Sequence, residues 1–372
     1  MEFTREICLT WIASAGLNPE IISRLLRSGI SPESLYAGFW KNGCFPLEDV
    51  KIQKNLTAVL KKNGTVEAMQ IWAEKLSRHR IRVTTSQDEN FPVRLQGIPD
   101  PPEILFYQGN LSALNRNTVA VVGSRNASRK GMEATLHITD ELSRNGVGIV
   151  SGLAYGIDTA AHQGCLRGSS PTIAVMGCGL DMDYPAENAG LKQEILRKDG
   201  LILSEYVPGE KPLGWHFPWR NRIISALGDC LTVMEARIRS GSMTSVHHAL
   251  DQGKDVFVYP GEPGSPRSEG NHQLLREGAI YFTCAEDLLE DMGWLDKTAD
   301  VGQNMQHSSE DMQLSPMEQK LLQELDGGEL SFEQLLEKMD VSASLLNATI
   351  SMLQIQGLIT ALPGKRYERK AQ

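Results

Sequence analysis

The chain has 372 residues, 41% of them apolar and 22% charged, which is the balance of a globular protein with room for two or three domains. No run of about 18 apolar residues occurs, so no transmembrane helix is expected, and the N-terminal stretch, with Glu2 and Glu6 and no long apolar core, does not read as a secretory signal. A net charge of −9 argues against indiscriminate adhesion to nucleic acid, so a nucleic-acid site has to be a local cluster of cations. The six cysteines (Cys8, Cys44, Cys165, Cys178, Cys230 and Cys284) form no CxxC pair, a usage that fits a reducing cytoplasm rather than a disulfide framework or a zinc ribbon.

Residues 1–75 read as a small helical domain. Asn18-Pro19-Glu20 and Ser31-Pro32-Glu33 each set a capping side chain before a proline at the first helical position. Ile21, Ile22, Leu25 and Leu26 follow at helical spacing.

Over residues 80–295 short apolar runs alternate with amphipathic stretches. The expected strands are Val119–Val122, Gly148–Val150, Thr172–Val175, Leu201–Leu203, Leu231–Val233 and Val256–Val258, with helices such as Gly131–Arg144 and Glu187–Lys198 between them. Strands alternating with helices of this length imply βαβ units, and so an α/β fold with a Rossmann-like, doubly wound parallel sheet.

Residues 296–314 are polar and lack apolar periodicity, which marks a linker. Beyond it, residues 315–372 carry two helix-start signatures, Ser315-Pro316-Met317-Glu318 and Ser331-Phe332-Glu333-Gln334. A third helix is expected from Ser344 to Gln356, ended by Gly357, and then a hairpin around Pro363-Gly364. Three helices and a hairpin read as a winged helix. The expected recognition helix has no Lys or Arg, and residues 315–362 hold only Lys320 and Lys338 against seven acids, so protein contact or dimer support is expected of it rather than duplex binding. Lys365, Arg366, Arg369 and Lys370 are the basic exception.

Ligands of an open parallel sheet bind beyond the carboxyl ends of the strands. The loops there are rich in small residues: Gly123-Ser124-Arg125-Asn126-Ala127-Ser128, then Ser151 to Asp158, then Gly177-Cys178-Gly179, then Ser240-Gly241-Ser242-Met243-Thr244. Such loops entering helices attract anions through their N–H groups, and Arg125 adds a bidentate phosphate contact. The first loop is not GxGxxG and no GxxxxGK[ST] occurs, which argues against a dinucleotide site and a P-loop. In Trp215 to Ser225, WHFPWRNRIIS, arginines interleave with aromatics, the composition that single-strand binding uses. The competing reading is structural: Trp215 and Trp219 cap the core while the arginines pair with Glu205 and Glu235. Asp158, Glu205 and Glu235 also follow strands, and helix capping or arginine orientation is expected of them rather than catalysis. The eight histidines show no metal-ligand spacing, so neither a metal nor a cofactor is expected.

Taken in order, GSR at 123–125, SGLAYGID at 151–158, TIAVMGCGLD at 172–181, YP at 184–185, SEY at 204–206, FPWRNRIIS at 217–225, EARIRSGSMT at 235–244 and VFVYPG at 256–261 resemble the DprA (Smf) family of natural transformation. FPVRLQGIPDPPEILFYQG at 91–109 resembles the segment leading into that family's Rossmann-like domain, and the N-terminal helical (SAM-like) and C-terminal winged-helix units fit its longer members. The resemblance implies a non-enzymatic protein that binds and protects single-stranded DNA and loads RecA onto it, displacing single-strand-binding protein. By position it implies a DNA-binding set of Gly123, Ser124, Arg125, Ser128, Gly152, Lys211, Phe217, Arg220, Asn221, Arg222, Ser240, Gly241, Ser242 and Thr244. Phe217 would stack a base, and residues 271–279, NHQLLREGA, resemble a segment involved in homodimer formation and near the RecA surface. Gly214 stands where many relatives carry a groove lysine, leaving Lys211 as the nearest base, and Ser225-Ala226-Leu227-Gly228 replaces the common SGLS. The enzyme alternative is a hydrolase of nucleoside monophosphates on the same fold, whose PGGxGT-type loop would correspond to EARIRSGSMT, which has no double glycine.

Overall fold

A computed structural model describes residues 3–45, 54–295, 316–325, 328–339, 346, 349, 350, 353, 358–362 and 366–369. The chain divides into two compact units, Met1–Leu295 and Asp296–Gln372.

The first unit opens with five helices: α1 (Arg5–Ala13), α2 (Pro19–Arg27), α3 (Pro32–Asn42), α4 (Lys54–Asn63) and α5 (Val66–Arg78). The expected caps are present, since Asn18 accepts from the Glu20 N–H and Ser31 from the Ser34 N–H. Trp11 centres the bundle, with its indole N–H on the Leu60 carbonyl at 2.9 Å and its rings against Tyr36, Phe39 and Phe45. These helices share one continuous apolar core with the first two strands.

A nine-stranded sheet follows: β1 (Arg82–Thr85), β2 (Ile104–Gly109), β3 (Thr118–Val122), β4 (Gly148–Ser151), β5 (Thr172–Met176), β6 (Leu201–Ser204), β7 (Cys230–Val233), β8 (Val256–Val258) and β9 (Ile280–Tyr281). Its order is β1-β2-β6-β5-β4-β3-β7-β8-β9. All six expected strands are present within a residue or so of their expected ends. The seven strands from β6 to β9 pair in parallel. The sheet is mixed rather than wholly parallel, because β1 and β2 add an antiparallel edge. The central strands are apolar and buried along their whole length, as strands covered on both faces must be.

The crossovers carry α6 (Arg129–Arg144), α7 (Ile157–Cys165), α8 (Ala189–Arg197), α9 (His216–Leu227), α10 (Gly241–Asp251), α11 (Glu269–Arg276) and α12 (Ala285–Asp291). From β3 the order runs through β4 to β6 on one side and β7 to β9 on the other, so the topological switch point lies between β3 and β7.

In the second unit, α13 (Pro316–Leu325), β10 (Leu330–Ser331), α14 (Phe332–Met339), β11 (Ile359–Leu362) and β12 (Arg366–Arg369) surround a core that includes Leu321, Leu335, Leu346, Ile350 and Leu353. Its sheet order is β10-β12-β11. Ser331 and Gln334 form the expected reciprocal cap. The linker 296–314, most of the third helix expected at 344–356, the Pro363-Gly364 turn, Lys365 and Lys370 lie outside the described residues.

Candidate nucleic-acid interface

A cleft of about 510 Å³ opens at the switch point between β3 and β7. Glycines set its walls where backbone and side chain pass too closely for a Cβ. On Gly123 a Cβ would lie 2.4 Å from Ile157, and on Gly156, at φ +73°, it would lie 2.3 Å from the Ser124 carbonyl oxygen. The loop after β3 therefore sits down on the first turn of α7, whose Ile157 N–H donates to Ser124. That loop is also tied to the end of β7, because the Ser124 N–H donates to the Glu235 carbonyl. Ser128 caps α6 by accepting from the Gly131 N–H, and its own hydroxyl and N–H donate to the Glu235 carboxylate. Its hydrogen-bonding capacity is thus held within the protein, away from the cleft.

Arg125 is exposed, and no described carboxylate pairs with it. Its guanidinium lies 4.9 Å from the ring centroid of Phe217, in the first turn of α9. Phe217 rests on Gly177, where a Cβ would meet it at 2.9 Å, and beside Tyr184, with centroids 5.4 Å apart.

The two arginines of α9 have different roles. Arg220 is 4% exposed and forms the floor of the cleft, donating to the carbonyls of Gly152, at 2.9 Å, and Val175. Asp158 lies beside it and accepts from the N–H groups of Gly152 and Ala154. Burial pushes the Arg220 pKa down to about 10, which the Asp158 charge opposes, so the guanidinium stays protonated at neutral pH. Burial likewise raises Asp158, with Arg220 opposing. Gly152 lies between them, and a Cβ there would fall 2.6 Å from the Arg220 Nη2 and 2.7 Å from the Asp158 Oδ2. Arg222 is 2% exposed and outside the cleft. It pairs with Glu205 at 2.7 Å, donates to the Asp100 carbonyl at 2.9 Å, and lies 4.3 Å from the Trp219 ring, whose N–H also reaches Glu205.

The structural alternative for this stretch is therefore true of Arg222 and its partner Glu205. It does not hold for the two tryptophans as core caps, since Trp215 is 63% exposed and Trp219 37%.

The far wall is the loop after β7 and the start of α10. Asn271 holds that loop from beneath: its Oδ1 accepts from the Ala236 N–H, and its Nδ2 donates to the carbonyls of Val233, Met234 and Tyr259. Asn271 is fully buried, so within 271–279 any partner surface falls to neighbours such as Arg276 and Glu277. Ser240 stands at the N-cap of α10 without capping it. The hydroxyls of Ser240 and Ser245 are buried with no hydrogen-bond partner among the described residues, and both residues line the cleft.

Of the expected DNA-binding set, Gly123, Ser124, Arg125, Phe217, Arg220, Asn221, Ser240, Gly241 and Ser242 line this one cleft. Gly152 lines a narrow slot next to it, between Arg125, Tyr184 and Phe217. Ser128, Lys211, Arg222 and Thr244 are not among its lining residues. Arg237, Ser245 and Tyr184 also line it and are absent from the expected set, although Tyr184 and Arg237 fall within the motifs at 184–185 and 235–244. Arg237, exposed and without a described carboxylate partner, lies three residues before the Ser240–Thr244 stretch expected to take phosphate, and that nearness is the signal that could have found it.

Residues 82–293, more than half of the chain, match the family model of DNA recombination-mediator protein A, and residues 306–365 match that of the DprA winged helix domain. The chain belongs to the DprA family. Among curated DprA and Smf proteins it is 35% identical to protein Smf of Escherichia coli, over 81% of this chain and 80% of that one. It is 47% identical to DNA processing protein DprA of Streptococcus pneumoniae, over 54% of this chain and 71% of that one. The X-ray structure of the S. pneumoniae DprA superposes with a TM-score of 0.62 at 37% identity, covering 78% of this chain and 99% of that one. DNA processing protein A of Helicobacter pylori, a protein with a single-stranded DNA binding mode, superposes at 0.52 with 32% identity, over 57% of this chain and 97% of that one. Among the described residues no helix is long and apolar enough to cross a membrane.

Proposed function

We propose that this chain binds single-stranded DNA, without sequence preference, across the carboxyl edge of its parallel sheet. The observation that carries this reading is Arg125: an exposed, unpaired guanidinium over the ring of Phe217, in a cleft at the switch point. Phosphate seats come from Arg125, Arg237 and the N-terminus of α10, whose first residues Gly241 and Ser242 line the cleft. Phe217 stacks a base, a contact worth about 1–3 kcal/mol. Arg220 holds the floor in shape from below. Arg222 acts at one remove, by holding Trp219 of α9 against Glu205, the residue that follows β6. Duplex binds worse, because its bases are already stacked and cannot lie on an aromatic platform. The single-strand binding of the H. pylori relative supports the same choice of ligand.

In the cell, and in the cytoplasm, the bound strand is DNA arriving during natural transformation. The chain protects it and loads RecA onto it in place of single-strand-binding protein. A homodimer sets two grooves on one complex and raises avidity without new contacts. The role is not catalytic. Glu205 and Glu235 are engaged by Arg222 and Ser128, and Asp158 is buried against the Gly152 loop.

RecA ATPase activity on single-strand-binding-protein-coated DNA tests the loading step. Addition of the chain should raise it, whereas strand binding with no change in ATPase would refute loading. Release of free base from a nucleoside monophosphate by the pure chain would favour the hydrolase reading instead.

A further inference from the structure

Stacking requires an aromatic face open to solvent, and Phe217 offers little of one. The backbone of Gly177 lies against its edge, the Arg125 guanidinium lies 4.9 Å from its centroid and that of Arg220 5.9 Å. The open ring of the groove is Tyr184, 39% exposed, with its plane 31° from that of Phe217. We propose that Tyr184 is a second base-stacking residue, receiving the nucleobase next to the one on Phe217.

Three observations carry this. The 5.4 Å between the two centroids is too short for a base to enter between the rings, which would need two stacking intervals of about 3.4 Å each. The base therefore lies on the outer face of Tyr184. The Tyr184 hydroxyl makes no hydrogen bond among the described residues, so no polar contact accounts for the ring's position at the cleft. The loop that presents Tyr184 is held rigid: the buried Lys192 ammonium donates to the carbonyls of Leu180, at 2.7 Å, and Met182, at 2.8 Å, and to Asp183. Asn188 ties its other end to the Leu153 carbonyl. An aromatic ring fixed in advance loses little entropy when a base covers it. Arg125 lies over the Phe217 ring, whereas the outer face of Tyr184 is open.

The inference rests on the single-strand reading, and the test separates the two. Affinities of the full chain and of its Tyr184→Ala, Tyr184→Phe, Tyr184→Trp and Phe217→Ala variants are measured for an oligonucleotide and for the same strand made wholly abasic. Tyr184→Ala should weaken the intact strand about 5- to 150-fold, the loss carried by one stacked base. It should leave the abasic strand unchanged, and Tyr184→Phe and Tyr184→Trp should bind like the parent. Tyr184→Ala binding both strands like the parent, while Phe217→Ala still weakens the intact one, would overturn the inference and spare the reading beneath it. Equal weakening of both strands by Tyr184→Ala would overturn it as well. A parent chain that binds no single strand would remove both.

Discussion

Arg125 and Arg222 both belong to the DNA-binding set expected of the sequence, yet removing each should give opposite results. Arg125 is exposed, at the cleft and without a carboxylate partner among the described residues, so Arg125→Ala should leave the fold intact and weaken binding to every sequence. A hydrogen bond to a charged group contributes about 1.5–3 kcal/mol, or roughly 10- to 150-fold in Kd. Each phosphate contact on a single strand adds about −0.7 to the slope of log K against log salt, so the variant's slope should be shallower by about that amount. Arg222 is buried on Glu205 and the Asp100 carbonyl. Its removal leaves Glu205, whose side chain is 22% exposed, without its countercharge, at about 1.5–3 kcal/mol for the lost hydrogen bond to a charged group. At about 2–4 °C per kcal/mol for a unit of this size, the melting temperature should fall by roughly 3–12 °C. The salt slope of whatever folds should be that of the parent. Anisotropy of a labelled oligonucleotide over a salt series, with a thermal melt of each variant, measures both. A shallower slope for Arg222→Ala at an unchanged melting temperature, or an unchanged slope for Arg125→Ala, would refute this division of roles.

Three further outcomes are expected. Arg237→Ala should also weaken binding and shallow the slope, whereas wild-type affinity would remove Arg237 from the phosphate path. Gly152→Ala puts a methyl group 2.6 Å from Arg220 and 2.7 Å from Asp158, both buried and unable to withdraw, so a melt and a binding assay should both show loss; a stable variant of full affinity would contradict the packing described. His162 is buried, and since the Thr172 hydroxyl donates to the Ile149 carbonyl, the His162 Nδ1 must carry the hydrogen it shares with Thr172, leaving a buried Nε2 unpartnered. Burial pushes its pKa from 6.5 down to about 3, with Arg220 adding to the effect. Below 6.5 the unfolded chain takes up a proton that the folded chain refuses, so stability falls as pH drops toward 3, by up to about 1.4 kcal/mol per pH unit. Denaturant melts of His162→Asn, which keeps the donor, should lose that part of the slope; an unchanged acid limb would mean that His162 titrates normally.

Much of the sheet was legible because central parallel strands are apolar on both faces, and TVAVV or TIAVM between turn signals leaves little else to read. The edge strands β1 and β2 were not. Residues 104–109 follow the Asp100-Pro101-Pro102 stretch, whose prolines mask a strand start, and four residues of RVTT carry too short a pattern. At the site, glycine-rich loops after strands mark a carboxyl edge, so the cleft's location followed from spacing alone. What spacing could not show is direction. Arg220 and Arg222 are two residues apart on one helix, which turns them to different faces, one under the cleft and one onto Glu205. The same limit left Tyr184 as no more than part of a motif, because its neighbour Phe217 lies 33 residues further along the chain. Ser128 looked like a phosphate ligand, but Glu235, far along the chain, meets its hydroxyl in three dimensions.

The most direct measurement is the affinity of the intact chain for a labelled oligonucleotide, as single strand and as duplex, with Phe217→Ala alongside. Tighter binding of the single strand, weakening with salt and reduced about 5- to 150-fold in Phe217→Ala, is the expected result. Equal binding of the two forms, or a single strand indifferent to Phe217, would contradict a groove that holds phosphates with Arg125 and stacks bases beside it.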